Sequence, residues 1–381
     1  MKKILVVHNR YKLQGGEDIA VDNEISVLES FFEVETLIFE NKGINIFSDL
    51  VNFVFNKNFK SVKKLNQKID LFKPDFVYVH NTWFKASVAI FDVLKKRNIK
   101  TVIKLHNFRY DCTRHFFFKG HLRQQDMCSR CGAFKEDSKL FNKYYEESFL
   151  KSLLVIRYGK KFFQKIHNKN VQILVLTKFH KNYLENLGFE ANNIEILPNP
   201  NQNSTIRNDK KSNSLVYAGR ISREKGIKEL IDSFIKAKTQ NINLLLIGSG
   251  PQLNYLKREY RDINNIKFLG QLDNEEVKNI ISDARAVITA TKLLEGQPTL
   301  LCEASSMRIP SIFPRFGGIH EFFPSDSKLS FKQYDYQDLV QKIKQIDMDD
   351  FIDEGIRNEK FYLKHFDEIN FSKKMSEIFN D

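Results

Sequence analysis

The stretch YAGRISREKGI, residues 217–227, has the composition of a β-strand that leads through a short loop into a helix. Leu230 and Phe234 follow with the spacing of an amphipathic helix. Arg220 ends the predicted strand and Lys225 precedes the predicted helix, so two cations lie where doubly wound sheets bind ligands. Arginine offers a planar fork and lysine a point charge, a combination suited to a diphosphate. Surface charges flanking a turn are the alternative.

The same strand, loop and helix rhythm recurs through the whole chain. Short runs rich in Val, Ile and Leu alternate with segments of helical length, a pattern typical of β-α-β units around parallel sheets. The rhythm appears twice, which predicts an α/β protein of two Rossmann-like, doubly wound parallel-sheet domains. The predicted strands are 3–7, 34–39, 76–79, 101–105, 172–176, 195–197, 215–218, 243–247, 266–269, 286–289 and 311–313.

A dense run of turn formers, PNPNQNS at residues 198–204, separates the two halves. We therefore expect one domain over 1–200 and a second over 201–360, with the ligand in a cleft between them. The segment from Phe351 onward looks helical and ends without another strand. Residues 361–381 are expected to form a C-terminal helix that packs back on the first domain.

Length and composition exclude several classes of protein. A chain of 381 residues with 42% hydrophobic and 28% charged residues is too apolar to be disordered. It contains no run of roughly 18 uncharged apolar residues, so we expect no membrane-spanning helix. Met1-Lys2-Lys3 leads into only a short apolar run, which argues against a secretory signal. Four cysteines are too few for a disulfide scaffold, and a cytoplasmic location is expected.

Positive charge is concentrated in the first half of the chain. Residues 1–200 hold 33 basic and 21 acidic residues, whereas residues 201–381 hold 27 and 26. Residues 140–181 combine nine basic and two acidic residues with many aromatic ones. This segment suits a helix on an anionic membrane surface, or else a core helix with one solvated face. The charge also leaves open a nucleic-acid-binding module, although a basic face interleaved with stacking aromatics is not evident.

The most specific motif is EGQPTLLCEA, residues 295–304, which follows a predicted strand. Pro298 suits the first turn of a helix, since its missing N–H costs nothing there. The N–H groups of Thr299 and Leu300 would then bind phosphate oxygens. Glu295 in the loop and Glu303 inside the helix could contact different parts of one ligand. A capped helix with two solvated glutamates is the alternative.

A weaker glycine motif follows the first predicted strand, where Gly15-Gly16-Glu17 precedes a helical segment. A glycine pair before a helix N-terminus suits close backbone approach to an anion. The segment lacks both GxGxxG and GxxxxGK[ST], which argues against a dehydrogenase or an NTPase.

Together these motifs resemble family 4 retaining glycosyltransferases of the GT-B fold, most of all those that build bacterial capsule, O-antigen (lipopolysaccharide) and exopolysaccharide. The specific resemblance lies in the C-terminal half, in EGxPxxxxEA at 295–304, AGRxxxxKG at 218–226, LPN at 197–199 and GGIHE at 317–321. The N-terminal half is similar more loosely, in GGE at 15–17, VHNT at 79–82 and LHNFR at 105–109.

The resemblance implies a role for each matching residue. Arg220 and Lys225 would neutralise the donor diphosphate, with help from the backbone of Gly16. Glu303 would bind the ribose hydroxyls of the donor. Glu295 and His106 would be the catalytic residues that contact the donor sugar. The chain departs from the family at Gln297, often an aromatic, and at His320, often a proline, which bears on the identity of the sugar.

The implied function is metal-independent transfer of a sugar from a nucleotide-diphosphate sugar, with no other cofactor. The acceptor would be a glycan or a polyprenyl-diphosphate-linked glycan, bound by residues 1–200 at the inner face of the cell membrane, and no nucleic acid would bind. The alternatives are the nucleic-acid-binding module, a GT-B phosphorylase, and an inactive scaffold.

Three cysteines form a separate cluster in the sequence. Cys112, Cys128 and Cys131 lie within twenty residues, together with His115 and His121. Cys128 and Cys131 have the C-x2-C spacing of half a zinc knuckle, and a histidine would complete four-fold coordination. The pattern fits a structural zinc or a loop of reduced thiols.

Overall fold

The computed structural model describes residues 1–10, 16–40, 58–83, 85–114, 122, 125–135, 149–200 and 212–380. The chain divides into two compact units, Met1–Pro200 with Glu368–Asp381, and Asn201–Asp367. Each unit contains a six-stranded sheet whose strand pairs are all parallel. The predicted α/β class is confirmed.

The first sheet has the strand order β2-β1-β3-β4-β5-β6. Its strands are β1 (Lys3–Arg10), β2 (Glu33–Glu40), β3 (Phe76–Val79), β4 (Lys100–Leu105), β5 (Val171–Val175) and β6 (Ile194–Ile196). Leu5 and Val7 pack in one apolar cluster, while Ile4 and Val6 pack in another. The sheet is therefore covered on both faces at β1 and β3, which is why these two strands contain continuous apolar runs.

Seven helices of the first unit fall within the described residues. They are α1 (Gly16–Glu29), α2 (Phe59–Phe72), α3 (Ile90–Lys96), α4 (Arg109–Cys112), α5 (Phe149–Ile166), α6 (Lys178–Glu185) and, from the end of the chain, α13 (Glu368–Asn380). Phe371, Met375 and Phe379 of α13 are buried in the cluster that contains Ile4 and Val6.

The second sheet has the order β12-β11-β10-β7-β8-β9. Its strands are β7 (Ser214–Ala218), β8 (Asn243–Ile247), β9 (Ile266–Gly270), β10 (Ala286–Ile288), β11 (Ser311–Arg315) and β12 (Ser330–Lys332). Its helices are α7 (Ile227–Ala237), α8 (Leu253–Glu259), α9 (Asn274–Asp283), α10 (Thr299–Ser306), α11 (Tyr336–Met348) and α12 (Ile352–Phe366). Strand β12 was not predicted from the sequence, because a three-residue strand with one apolar side chain gives no periodic signal.

The C-terminal helical segment is interrupted at Asp367, between α12 and α13. The sequence placed the second domain's end at residue 360, whereas the structure keeps residues up to Asp367 in the second unit. The reason is packing, since Tyr362 and Phe366 belong to that unit's core.

The basic aromatic segment at 140–181 contains α5, and residues 140–148 lie outside the described residues. Leu154, Val155 and Tyr158 are buried, whereas Arg157 and Lys160 are exposed. Helix α5 thus has the arrangement of a core helix with one solvated face. Within the described ranges, no helix has both the length and the apolar character needed to cross a membrane.

Candidate functional site

The loop after β7 holds the two predicted phosphate-binding cations. Arg220 is exposed, and its carbonyl oxygen accepts a hydrogen bond of 2.9 Å from the Tyr217 hydroxyl. Lys225 ends a short 3-10 turn, and Gly226 follows with a φ of 69°. A Cβ on Gly226 would lie 2.1 Å from the carbonyl oxygen of Ala290. The glycine therefore lets this loop lie directly against the loop that follows β10.

The structure brings Lys225 and Glu295 together as an ion pair. Lys225 Nζ lies 2.5 Å from Glu295 Oε1, which also accepts a 2.8 Å hydrogen bond from Thr291 Oγ1. The two side chains are 26% and 20% exposed, so both are within reach of a ligand. Lys225, which is expected to bind phosphate, is thus paired with Glu295, which is expected to bind the sugar. A diphosphate at this position would compete with Glu295 for the lysine.

A second ion pair, not predicted from the sequence, joins the loop after β10 to helix α7. Lys292 pairs with Glu229 of α7, and its backbone N–H donates to the carbonyl oxygen of Glu224 at 2.9 Å. The sequence feature that could have indicated this pair is the position of Lys292, shortly after the predicted strand 286–289.

Helix α10 begins at Thr299, with Pro298 as its N-cap residue. The prediction that Pro298 lies in the first turn is wrong by one position. The proline has a ψ of 96°, outside the helical range, and its carbonyl oxygen accepts hydrogen bonds from Leu301 and Cys302. Among the described residues no acceptor is found for the N–H groups of Thr299 and Leu300. These are the two groups expected to meet phosphate oxygens.

Glu303 lies in the second turn of α10 and is only partly accessible. Burial raises the pKa of its carboxyl group to about 7, and the positive charge of Lys278 partly opposes that rise. Near neutral pH the side chain can therefore be a hydrogen-bond donor or an acceptor. This suits an interaction with hydroxyl groups.

Two further glycines shape the Arg220 loop and were missed in the sequence. A Cβ on Gly248 would lie 1.9 Å from the carbonyl oxygen of Gly219, and one on Gly250 would lie 2.2 Å from that of Ile221. Gly248 also has a φ of 128°, which few other residues adopt. The signal was the run GSGP at 248–251, directly after a predicted strand.

The first unit contains a cavity of about 270 Å³ at the end of β4. His106 lies on its wall, as do Glu17 and Trp83. Gly16 is the exposed first residue of α1, next to Glu17. The wall also includes His80, Asn107, Arg109, Tyr110, Thr113 and Tyr158.

His106 forms a stacked pair with His80. His106 Nε2 lies 3.0 Å from His80 Nδ1, and the ring centroids are 5.3 Å apart. Burial, with a smaller effect from nearby positive charges, lowers the pKa of both imidazoles well below its usual range. Both rings are therefore neutral at physiological pH and one donates to the other.

A buried ion pair lies next to the two histidines. Lys104 and Glu24 are both fully buried and form a direct salt bridge, and Tyr78 donates to Glu24 Oε2 at 2.7 Å. His80 Nε2 is 3.9 Å from the same oxygen. This pair was not predicted from the sequence, although a lysine inside the apolar run TVIKL at 101–105 is an unusual feature of a buried strand.

Cys112, Cys128 and Cys131 come together in the first unit. Their sulfur atoms all lie within 4.8 Å of one another, and in the described part of the chain no cysteine is in a disulfide. His115 and His121 lie outside the described residues. Cys302 is buried in the second unit.

Residues 199–359 match the family described as "Glycosyl transferases group 1". The chain is 30% identical over 128 residues to a putative teichuronic acid biosynthesis glycosyltransferase of Bacillus subtilis, TuaC, covering 34% of this chain and 31% of TuaC. It is 26% identical over 196 residues to the O-antigen biosynthesis glycosyltransferase WbnH of Escherichia coli, covering 49% and 54%. The alignments thus span about a third to a half of these curated relatives.

Solved structures match over the whole chain. Sucrose-phosphate synthase of Thermosynechococcus elongatus has a TM-score of 0.73 at 15% identity, covering 100% of this chain and 98% of that one. Anabaena HepE, in complex with UDP and glucose, has a TM-score of 0.68 at 14% identity, with 100% of both chains covered. These similarities show the fold, which is GT-B.

Proposed function

We infer that this chain, whose residues 199–359 form a glycosyl transferases group 1 domain, is a glycosyltransferase of bacterial surface polysaccharide biosynthesis. The sugar would move from a nucleotide-diphosphate donor to a glycan or lipid-linked acceptor, with retention of configuration. Relatives named for teichuronic acid, O-antigen and capsular polysaccharide biosynthesis support this assignment. The comparisons offer no support for a nucleic-acid-binding module.

The observation that carries the proposal is the ion pair between Lys225 and Glu295 in the second unit. Departure of a nucleoside diphosphate places negative charge on the leaving phosphate, so cations already positioned there lower the barrier. We propose that Lys225 exchanges Glu295 for the diphosphate when the donor binds. Glu295 is then released to accept hydrogen bonds from the donor sugar.

The remaining residues of the second unit complete the donor site. Arg220 and the N–H groups of Thr299 and Leu300 would bind phosphate oxygens, and Glu303 would bind the ribose hydroxyls. Because these groups already supply positive charge, the reaction is proposed to need no metal ion. UDP is bound in the HepE structure, so UDP-sugars are the donors to test first.

The first unit would serve the acceptor. Its cavity presents hydroxyl, amide and aromatic side chains, the groups that commonly bind sugars. We propose that the neutral imidazole of His106 contacts the donor sugar and that the backbone of Gly16 supports the diphosphate. The net positive charge of residues 1–200 would favour acceptors that carry a diphosphate and lie at an anionic membrane surface.

The test measures donor binding and turnover separately. Wild type, Lys225→Met, Arg220→Ala and Glu295→Gln would be titrated with UDP- and GDP-sugars by calorimetry, and donor hydrolysis would be assayed with and without Mg²⁺. Lys236→Met, at an exposed position of α7, is the matched control.

We expect Lys225→Met and Arg220→Ala to lose donor binding and Lys236→Met to keep it. Glu295→Gln should bind the nucleoside diphosphate at least as tightly as wild type, because Lys225 is no longer neutralised. Its turnover should fall by about 10²-fold or more, by analogy with the loss of one transition-state contact. Equal binding by Lys225→Met and Lys236→Met, or wild-type turnover by Glu295→Gln, would contradict the proposal.

A further inference from the structure

We propose that Cys112, Cys128 and Cys131 bind one Zn²⁺ ion, which has a structural role separate from glycosyl transfer. The ion would join helix α4 to the loop at residues 125–135. This site does not depend on the proposed function, because none of the three cysteines lines the cavity of the first unit or belongs to the donor site.

The distances between the sulfur atoms are close to those that zinc requires. Tetrahedral Zn–S bonds of about 2.3 Å place two sulfur atoms about 3.8 Å apart. The three sulfur atoms here already lie within 4.8 Å of one another. Side-chain movements of about 1 Å would therefore bring all three within bonding distance of one ion, as three of its four tetrahedral ligands. Cys112 and Cys128 are buried, which protects the site, and Cys131 is partly exposed, which gives a metal ion access.

The backbone at residues 125–135 forms a tight turn that presents two of the thiols together. Gly132 has a φ of 80°, and its N–H donates to the carbonyl oxygen of Cys128 at 2.8 Å. The N–H of Cys128 donates to the carbonyl oxygen of Ala133, also at 2.8 Å. Met127 and Phe134 close the turn as an antiparallel bridge. These backbone bonds position Cys128 and Cys131 independently of any sulfur contact.

Charged residues beside the thiols suit a zinc centre. Three thiolates and one Zn²⁺ carry a net charge of −1, which a buried site must offset. Arg130 lies between two of the cysteines in sequence and is hydrogen-bonded to Asp111, the neighbour of Cys112. Arg114 also donates to Asp111, at 2.8 Å. These two guanidinium groups and the carboxylate belong to residues within two positions of a cysteine in the sequence, and together they leave one positive charge to balance the zinc centre.

The position of the site explains what the ion would do. Helix α4, Arg109–Cys112, is only four residues long and is too short to be stable alone. Arg109, Tyr110 and Thr113 line the cavity of the first unit. A zinc ion on Cys112 would fix the end of this helix and hence one wall of the cavity.

The test measures zinc directly in the full chain, purified untagged under reducing conditions and after gel filtration. Elemental analysis should find about one zinc per chain in wild type, as for a single tetrahedral thiolate site. Cys128→Ser and Cys131→Ser should lose most of it. Cys302→Ser is the matched control, because it removes the one cysteine outside the cluster, and it should keep the full zinc content.

Cobalt substitution provides a second measurement on the wild-type chain, so the result does not depend on whether the variants fold. Cobalt bound by three thiolates should give an intense thiolate-to-metal charge-transfer band, which one equivalent of Zn²⁺ abolishes. Zinc at the level of a metal-free control protein together with no such band would overturn the proposal. So would equal zinc in Cys128→Ser and Cys302→Ser. The cluster would then be a small group of reduced thiols or a site of disulfide formation, which thiol titration would tell apart.

Discussion

Replacement of Glu303 by glutamine should stabilise the unliganded protein, and the gain should grow with pH. Burial raises the pKa of this carboxyl group from 4.5 to about 7, so the folded chain binds its proton more tightly than the unfolded chain does. At pH values between 4.5 and 7, the folded chain keeps this proton while the unfolded chain releases it. Stability therefore falls as pH rises through this window, whereas the neutral amide of glutamine has no such dependence.

The size of the effect follows from the two pKa values. One unit of pKa difference corresponds to about 1.36 kcal/mol. The raised pKa of Glu303 therefore lowers the free energy of unfolding by about 1 kcal/mol at pH 5 and by about 3 kcal/mol at pH 8. The difference in unfolding free energy between Glu303→Gln and wild type should thus widen by about 2 kcal/mol between these pH values.

Urea unfolding followed by circular dichroism at several pH values measures this difference. Trp83 is the single tryptophan and lies in the first unit, whereas Glu303 lies in the second. An unfolding transition that circular dichroism detects and tryptophan fluorescence does not therefore belongs to the second unit. Glu275→Gln, at an exposed position of α9, is the control and should show no widening. A difference between Glu303→Gln and wild type that stays constant from pH 5 to pH 8 would show instead that the carboxyl group is solvated in the folded chain.

Three further predictions concern other parts of the two units. Gly248→Ala should abolish donor binding measured by calorimetry, because its Cβ would lie 1.9 Å from the carbonyl oxygen of Gly219, and unchanged affinity would show that the loop adapts. Lys104→Met should cost about 3–5 kcal/mol by urea unfolding followed by tryptophan fluorescence, since it leaves the buried Glu24 without its cation, and the double variant with Glu24→Gln should recover much of the loss. If Lys104→Met and the double variant lost the same unfolding free energy, the buried carboxyl group would not be the cause of the loss. The pH profiles of kcat for wild type and His106→Gln should have the same shape from pH 6 to pH 8, because the lowered pKa keeps this histidine neutral throughout; a protonation step near pH 7 seen only in wild type would disprove it.

The fold was largely predictable from the sequence. The run Ile4–Val7 of β1 is buried in apolar clusters on both faces of its sheet, so its side chains are all apolar, and such short runs stand out between polar helical segments. The strand β12 and the division at Asp367 were less predictable. The first is too short to show a period, and the second depends on which core receives Tyr362 and Phe366.

The candidate site was predictable in part. The motifs around Arg220, Lys225 and Glu295 were visible because glycine, proline and charged residues follow apolar runs, where parallel strands end. Glu24 and Lys104 were not identified as partners: Lys104 lies within an apolar run, but Glu24 looks like an ordinary helical glutamate until its burial is known. Their contact joins residues 80 positions apart in the chain.

The amino-acid sequence alone determined the strand and helix order, the two-fold repetition of the α/β pattern and the position of the charged loops, because these depend on local periodicity and turn chemistry. Which charges meet depends on the packing of the folded chain. Lys225 and Glu295 are 70 residues apart and become partners because β7 and β10 are neighbours in the sheet and end at the same edge. The pKa of Glu303 and the grouping of the three cysteines have the same origin, since burial and proximity are properties of the packed chain.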